Sequence, residues 1–96
     1  MAIDRMPRAE ARVTEGQREA IEEAMRIIIE EDQERGIDPA AVFGCRRCGR
    51  NRQLIGSVEY DGIRLCNGCA TRFEMARMTG KARSAAAFVG QTANAH

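Results

Sequence analysis

A small α+β fold is predicted by three features of this 96-residue sequence. All four cysteines fall in one stretch, with the spacing Cys45-x2-Cys48-x17-Cys66-x2-Cys69. Asp61-Gly62 separates two short runs of alternating apolar residues, a strong hairpin signal. Upstream of the cysteines, apolar residues recur at the i, i+3, i+4, i+7 period of an amphipathic helix.

Residues 1–13 read as a polar, flexible arm, with Pro7 able to open a helical turn. Thr14 and Gln17 fit a capping box, in which each side chain satisfies a backbone N–H of the other residue. A helix is therefore expected from about Glu15 to Arg35, within an acidic amphipathic segment 14–36. Ile21, Ala24, Met25, Ile28 and Ile29 form its apolar stripe. Glu22–Arg26 and Glu31–Arg35 are i,i+4 pairs in the favourable orientation. Gly36 suits the position after the cap, Ile37 supplies the usual apolar contact, and Asp38-Pro39 prevents continuation. The stripe must bury against something. The candidates are the segment that follows and a second copy of the chain, through Ile21, Met25 and Ile28.

Residues 38–44 read as a connector, with Phe43 placed to cover the apolar side of the cysteine module. Gly49, directly after Cys48, suits a knuckle in which φ > 0 is needed. Ser57–Tyr60 and Ile63–Leu65 are expected to pair across a type I′ turn at Asp61-Gly62. A second helix over 67–78 then carries Cys69 in its first turn and sets Cys69, Phe73 and Ala76 on one face. Asn67 is placed to cap it and Thr79-Gly80 to end it. Residues 81–96 are expected to be a partly disordered tail, with at most a short helical turn in the Ala-rich run. Knuckle, hairpin, then a helix bearing the last cysteine is the order of a treble-clef finger, here over 45–80.

Each Cys-x2-Cys turn aims two thiolates at one point, and two such turns complete a tetrahedron with no open position. One structural zinc ion per chain, held by Cys45, Cys48, Cys66 and Cys69, is the expectation. An iron–sulfur cluster or two disulfides would use the same four residues. The long spacer between the pairs favours zinc. The charged N-terminus, with Asp4, Arg5, Arg8, Glu10 and Arg12, lacks an apolar signal segment, which points to a reducing, cytoplasmic location. The aromatic residues are only Phe43, Tyr60, Phe73 and Phe88, so the core is small and metal binding is expected to supplement it.

A net charge of +1 conceals an asymmetry. Residues 1–44 carry six Arg and eleven acidic side chains, a net of −5. Residues 45–96 carry eight Arg, one Lys and three acidic side chains, a net of +6. No stretch approaches the ~18 apolar residues needed to cross a bilayer. No phosphate loop, dinucleotide glycine pattern or nucleophile–base pair is visible, and the sole histidine is His96, so no enzymatic activity is expected. Arg46, Arg47, Arg50, Arg52, Arg64 and Arg72 are the candidate nucleic-acid-binding residues, because guanidinium suits phosphate and guanine. They suit solvated faces equally, since 14 of the 15 basic residues are Arg. The acidic segment is expected to oppose binding to DNA.

The cysteine spacing, together with Leu65-Cys66-Asn67-Gly68-Cys69 ahead of a helix, makes residues 45–83 resemble a GATA-type zinc finger. That resemblance implies zinc on the four cysteines, Asn67 as the helix cap, the helix in the DNA major groove and a role in transcription regulation. Asn51-Arg52-Gln53-Leu54-Ile55-Gly56 stands where that family carries Thr-Pro-Leu-Trp-Arg, and the following basic segment is reduced to Lys81 and Arg83. The order of acidic helix, four-cysteine finger and C-terminal helix is also similar to the DksA/TraR family. That second likeness implies binding to RNA polymerase in its secondary channel. A treble clef used only for protein–protein interaction is a third option, since fold does not fix function.

Overall fold

The computed structural model describes residues 12–93. Helix α1 spans Glu15–Glu34, and strands β1 (Val42–Gly44), β2 (Asn51–Gln53), β3 (Val58–Tyr60) and β4 (Ile63–Leu65) follow. Helices α2 (Asn67–Met78) and α3 (Ala85–Ala93) complete the order. The strands form two separate antiparallel hairpins, β1–β2 and β3–β4. Val42 pairs with Gln53 in the first, and Val58 with Leu65 in the second. Among the described residues no helix is long and apolar enough to cross a membrane.

Local chemistry fixes the ends of α1. Gln17 N–H donates to Thr14 Oγ1 at 3.1 Å, and Thr14 N–H donates to Gln17 Oε1 at 2.8 Å, a complete capping box. At the other end Gly36 has φ 81°. Its N–H donates to Gln33 O at 3.0 Å, and the Ile37 N–H donates to Asp32 O at 3.2 Å. These two bonds are a Schellman motif, which a residue with a Cβ would strain. The β3–β4 turn is equally local: Asp61 (φ 51°) and Gly62 (φ 85°) are both left-handed, as a type I′ turn requires.

The apolar stripe of α1 packs on the rest of the same chain. Ile21 and Met25 are buried in a core with Leu65, Ala70 and Phe73, and Ile28 packs against it. Ile21 and Met25 are thus covered within the chain, while Ile28 is half-buried. Ala24 is exposed, and the buried row instead ends on Asp32, 4% exposed. The Asp32 carboxylate pairs with Arg35 and accepts the Gly56 N–H at 2.8 Å. Gly56 C=O in turn accepts from Asn67 Nδ2 at 3.0 Å, and the same amide donates to Met25 O at 3.1 Å. One residue of the loop before β3 is thus bonded through its N–H from α1 and through its C=O from α2. Gly56 has φ 84°, and a Cβ there would lie 2.6 Å from Ile29 Cγ1.

Three sequence expectations are corrected. Asn67 does not cap α2: Cys66 is the N-cap residue, without a side-chain cap bond, and Asn67 holds Met25 and Gly56 instead. The 38–44 connector is partly strand, because Val42–Gly44 pairs with Asn51–Gln53. The tail is part of the fold as far as it is described. Ala82, Ala85 and Phe88 are buried, and α3 runs through Gly90. Phe88 lies 5.4 Å from Phe73, which meets Tyr60 edge-on at 4.7 Å, so three of the four aromatic rings form one row. The Tyr60 hydroxyl donates to Glu74 Oε2 at 2.7 Å, tying the second hairpin to α2. Pro7 and most of the 1–13 arm, like His96, lie outside the described residues.

Gly56→Ala should lower unfolding free energy by about 2 kcal/mol or more, because left-handed strain and overpacking against Ile29 add. Gly62→Ala shares the positive φ but has open space around its Cβ, so it should lose less. Denaturant titration of the two variants measures the difference, and equal losses would mean that Gly56 is not a point of close approach. Met25→Asp, which puts a charge in the core, should unfold the chain, whereas exposed Glu19→Ala should leave its midpoint unchanged.

Candidate metal centre

Two hairpin ends and a helix start bring the four cysteines together. Cys45 follows β1 and Cys48 lies in the turn before β2. The turn is closed by Gly49 N–H to Cys45 O at 2.9 Å and Cys45 N–H to Arg50 O at 2.9 Å. Gly49 takes φ 73°, which allows the reversal. Arg46 N–H donates to Arg64 O at 3.3 Å and joins this knuckle to the second hairpin. Cys66 follows β4 directly, and Cys69 sits one turn later in α2. All four Sγ atoms lie within 4.8 Å of one another. A tetrahedral ion with ~2.3 Å bonds to sulfur has S···S edges of about 3.8 Å. The four thiols therefore fit around one metal ion with small inward shifts. Cys45, Cys66 and Cys69 are buried, Cys48 is half-buried, and all four are free of disulfides.

Hydrogen bonds to the sulfurs set their acidity. Burial works against the Cys48 thiolate, but Arg52 Nε, 3.5 Å from its Sγ, and the Arg50 N–H outweigh it and bring the thiol down to about 6. Burial also opposes ionisation of Cys45, where N–H groups of Cys48, Cys66 and Arg47 pull the value down; the Cys66 N–H lies 3.4 Å from Cys45 Sγ. Cys66 is raised, chiefly by burial. Cys69 is raised further, by burial and then by Cys66 and Cys45. The knuckle pair thus ionises more readily than the helix-side pair. A metal ion overrides this difference, because every ligand must be deprotonated.

The six candidate arginines do not share one fate. Arg46, Arg50, Arg52 and Arg72 are exposed and make no ion pair among the described residues. Arg47 is half-buried, with its guanidinium 3.8 Å from the centre of the Phe88 ring. Arg64 donates to Ser57 Oγ at 2.8 Å and pairs with Glu59 at 3.2 Å. Those two are engaged within the fold, and Arg52 is held in part by its bond to Cys48 Sγ. Arg52 and Arg72 line a cleft of about 590 Å³ beside the cysteines, which also receives Ile29, Ile37, Pro39 and Ile55. Arg12 and Arg18 stand near Arg72 as well, a placement with no signal in the linear charge pattern.

Metal uptake should release protons, since Cys66 and Cys69 hold theirs near neutrality, and affinity should fall as pH falls. Competition titrations with a chromophoric chelator between pH 6 and 8 check this; pH-independent affinity would contradict it. Cys66→Ser should abolish tight binding and the thermal transition of the metal-loaded chain.

Compared with protein-family models, with curated proteins and with solved structures, the chain matches none.

Proposed function

We propose that the chain is a zinc-binding module of treble-clef type that binds nucleic acid, with DNA as its partner and transcription regulation as its role. On this reading Cys45, Cys48, Cys66 and Cys69 hold one structural zinc ion, and the protein binds rather than catalyses. The clustering of the four sulfurs within 4.8 Å supports the metal part. The nucleic-acid part rests on one observation. Arg46, Arg50, Arg52 and Arg72 are exposed, unpaired with carboxylates among the described residues, and grouped around one centre.

The mode of contact differs from what the GATA resemblance implies. Helix α1 packs along α2, and Glu22 shares a groove with Gly68, Thr71 and Arg72 at the start of α2. A groove wall closing on that side of α2 would meet this carboxylate. Contacts from the knuckle and the exposed edge of α2 to phosphates are favoured over insertion of α2 into the major groove. Such binding is salt-dependent and weakly sequence-specific.

A protein partner, RNA polymerase among them, is the second reading. The cleft that combines Ile29, Ile37, Pro39 and Ile55 with Arg52 and Arg72 favours it. The two readings differ in their response to salt and to charge removal. Duplex binding by the full chain should weaken steeply with salt. Replacing Arg46 and Arg50 with Ala should flatten that slope by up to ~2 while leaving the fold intact. Absence of duplex binding at low salt, with retention on polymerase, would replace the first reading by the second.

A further inference from the structure

Arg12 precedes α1 and Arg18 lies near its start, both in the acidic half of the chain. Packing of α1 on α2 brings them to the same shallow depression as Arg72 of α2 and Lys81 beyond its end. Met75 and Ala76 line it between them. All four cations are exposed, and none is in an ion pair among the described residues. The contrast with other arginines is plain. Arg26 is held by Glu23 and Glu30, Arg35 by Asp32, Arg64 by Glu59 and Arg77 by Glu74. Arg18 instead reaches Met75 Sδ at 3.8 Å.

Four like charges around a space of about 490 Å³ repel one another. Among the described residues Glu22 shares an adjoining groove with Arg18 and Arg72 but pairs with neither. Their position adds a second point. Arg72 also lines the cleft next to the knuckle together with Arg52, so the two concavities share a wall. Cations are continuous from the knuckle across α2 to the start of α1. A strip of this kind fits a chain of repeated phosphates better than a single anion, which would engage one concavity and leave the other unneutralised.

We propose that Arg12, Arg18, Arg72 and Lys81 form a phosphate-binding patch that carries the nucleic-acid surface across the α1–α2 seam. The acidic helix then belongs to the interface instead of opposing it, contrary to its net charge. This inference rests on the nucleic-acid reading above. It also explains why the helix cannot be treated as a removable arm: Ile21 and Met25 complete the core, so shortening the chain would destroy the patch and the fold together.

The test uses the full, zinc-loaded chain and a short fluorescent DNA duplex, titrated at several salt concentrations. The Arg12→Ala/Arg18→Ala variant should bind more weakly and flatten the slope of log K against log salt by about 2. Arg12→Lys/Arg18→Lys should restore most of the slope, because a phosphate contact needs a charge and not a planar fork. Arg26→Ala, on the same helix but already paired, should keep the wild-type slope. Unchanged unfolding midpoints establish that each variant keeps the fold. If the wild-type chain binds duplex and the double Ala variant keeps its full slope, the patch is overturned and the knuckle surface stands. If the wild-type chain shows no salt-dependent duplex binding, the nucleic-acid reading falls, and the patch with it.

Discussion

The fold depends on two segments, separated by seventeen residues, being held at one point by four sulfurs. Among the described residues each of the four strands is three residues long, and the hairpins do not join into a larger sheet. Isolated two-stranded hairpins of this size are marginal in water. A metal ion shared by both Cys-x2-Cys pairs would make the first hairpin, the end of the second and the start of α2 a single unit. Around that unit the buried side chains are few and mostly small: Cys45, Cys66, Cys69, Ala70, Ala82 and Ala85 supply half of the buried apolar residues. Larger groups are used sparingly, with Phe73 at the centre between Tyr60 and Phe88.

A second constraint places α1. Its apolar stripe supplies attraction but little direction, since Ile27, Ile28 and Ile29 offer several faces of similar character. Direction comes from hydrogen bonds to the backbone of Gly56. Asp32 takes its N–H, Asn67 donates to its C=O, and the same Asn67 amide reaches Met25 O. Only glycine allows Ile29 to approach this closely. Asn67 lies between the cysteines Cys66 and Cys69, so the metal centre and the docking of α1 are adjacent in sequence and linked in space.

What was legible in the sequence was local. The Thr14–Gln17 box, the Gly36 Schellman end and the Asp61-Gly62 turn each depend on neighbours within a few residues, and each is present. The cysteine pattern was legible for the same reason, because two short motifs carry it. The β1–β2 hairpin was not: Val42 is 61% exposed and Asn51-Arg52-Gln53 is polar and exposed throughout, so no alternation marks it. Helix α3 was hidden because Phe88 is the one large side chain among its described buried positions, and the other, Ala85, looks the same in a tail and in a core. Asn67 misled through a sound local rule. Asn is a favoured N-cap, but an amide with two tertiary acceptors in reach is used there instead.

Charge was the least legible property, and the reason is geometric. Halving the chain gave an acidic arm and a basic finger, yet a helix docked on a finger shares its surface. Carboxylates of this chain pair chiefly within their own elements: Glu23 and Glu30 with Arg26, Asp32 with Arg35, Glu74 with Arg77. Apart from the buried Asp32 carboxylate, those pairs are exposed or partly exposed and contribute little to stability. Their larger effect is to sort the arginines, because a paired guanidinium is no longer available to an outside anion. Arg47 is removed from the available set by Phe88 and Arg64 by Ser57 and Glu59. The cations left without a carboxylate among the described residues come from both halves of the sequence, Arg12 and Arg18 from one and Arg46, Arg50, Arg52, Arg72, Lys81 and Arg83 from the other, with Arg52 bonded to Cys48 Sγ. Their common surface exists only because α1 is fixed to α2, so the polar contacts around Gly56 that orient the helix also decide where the free positive charge lies.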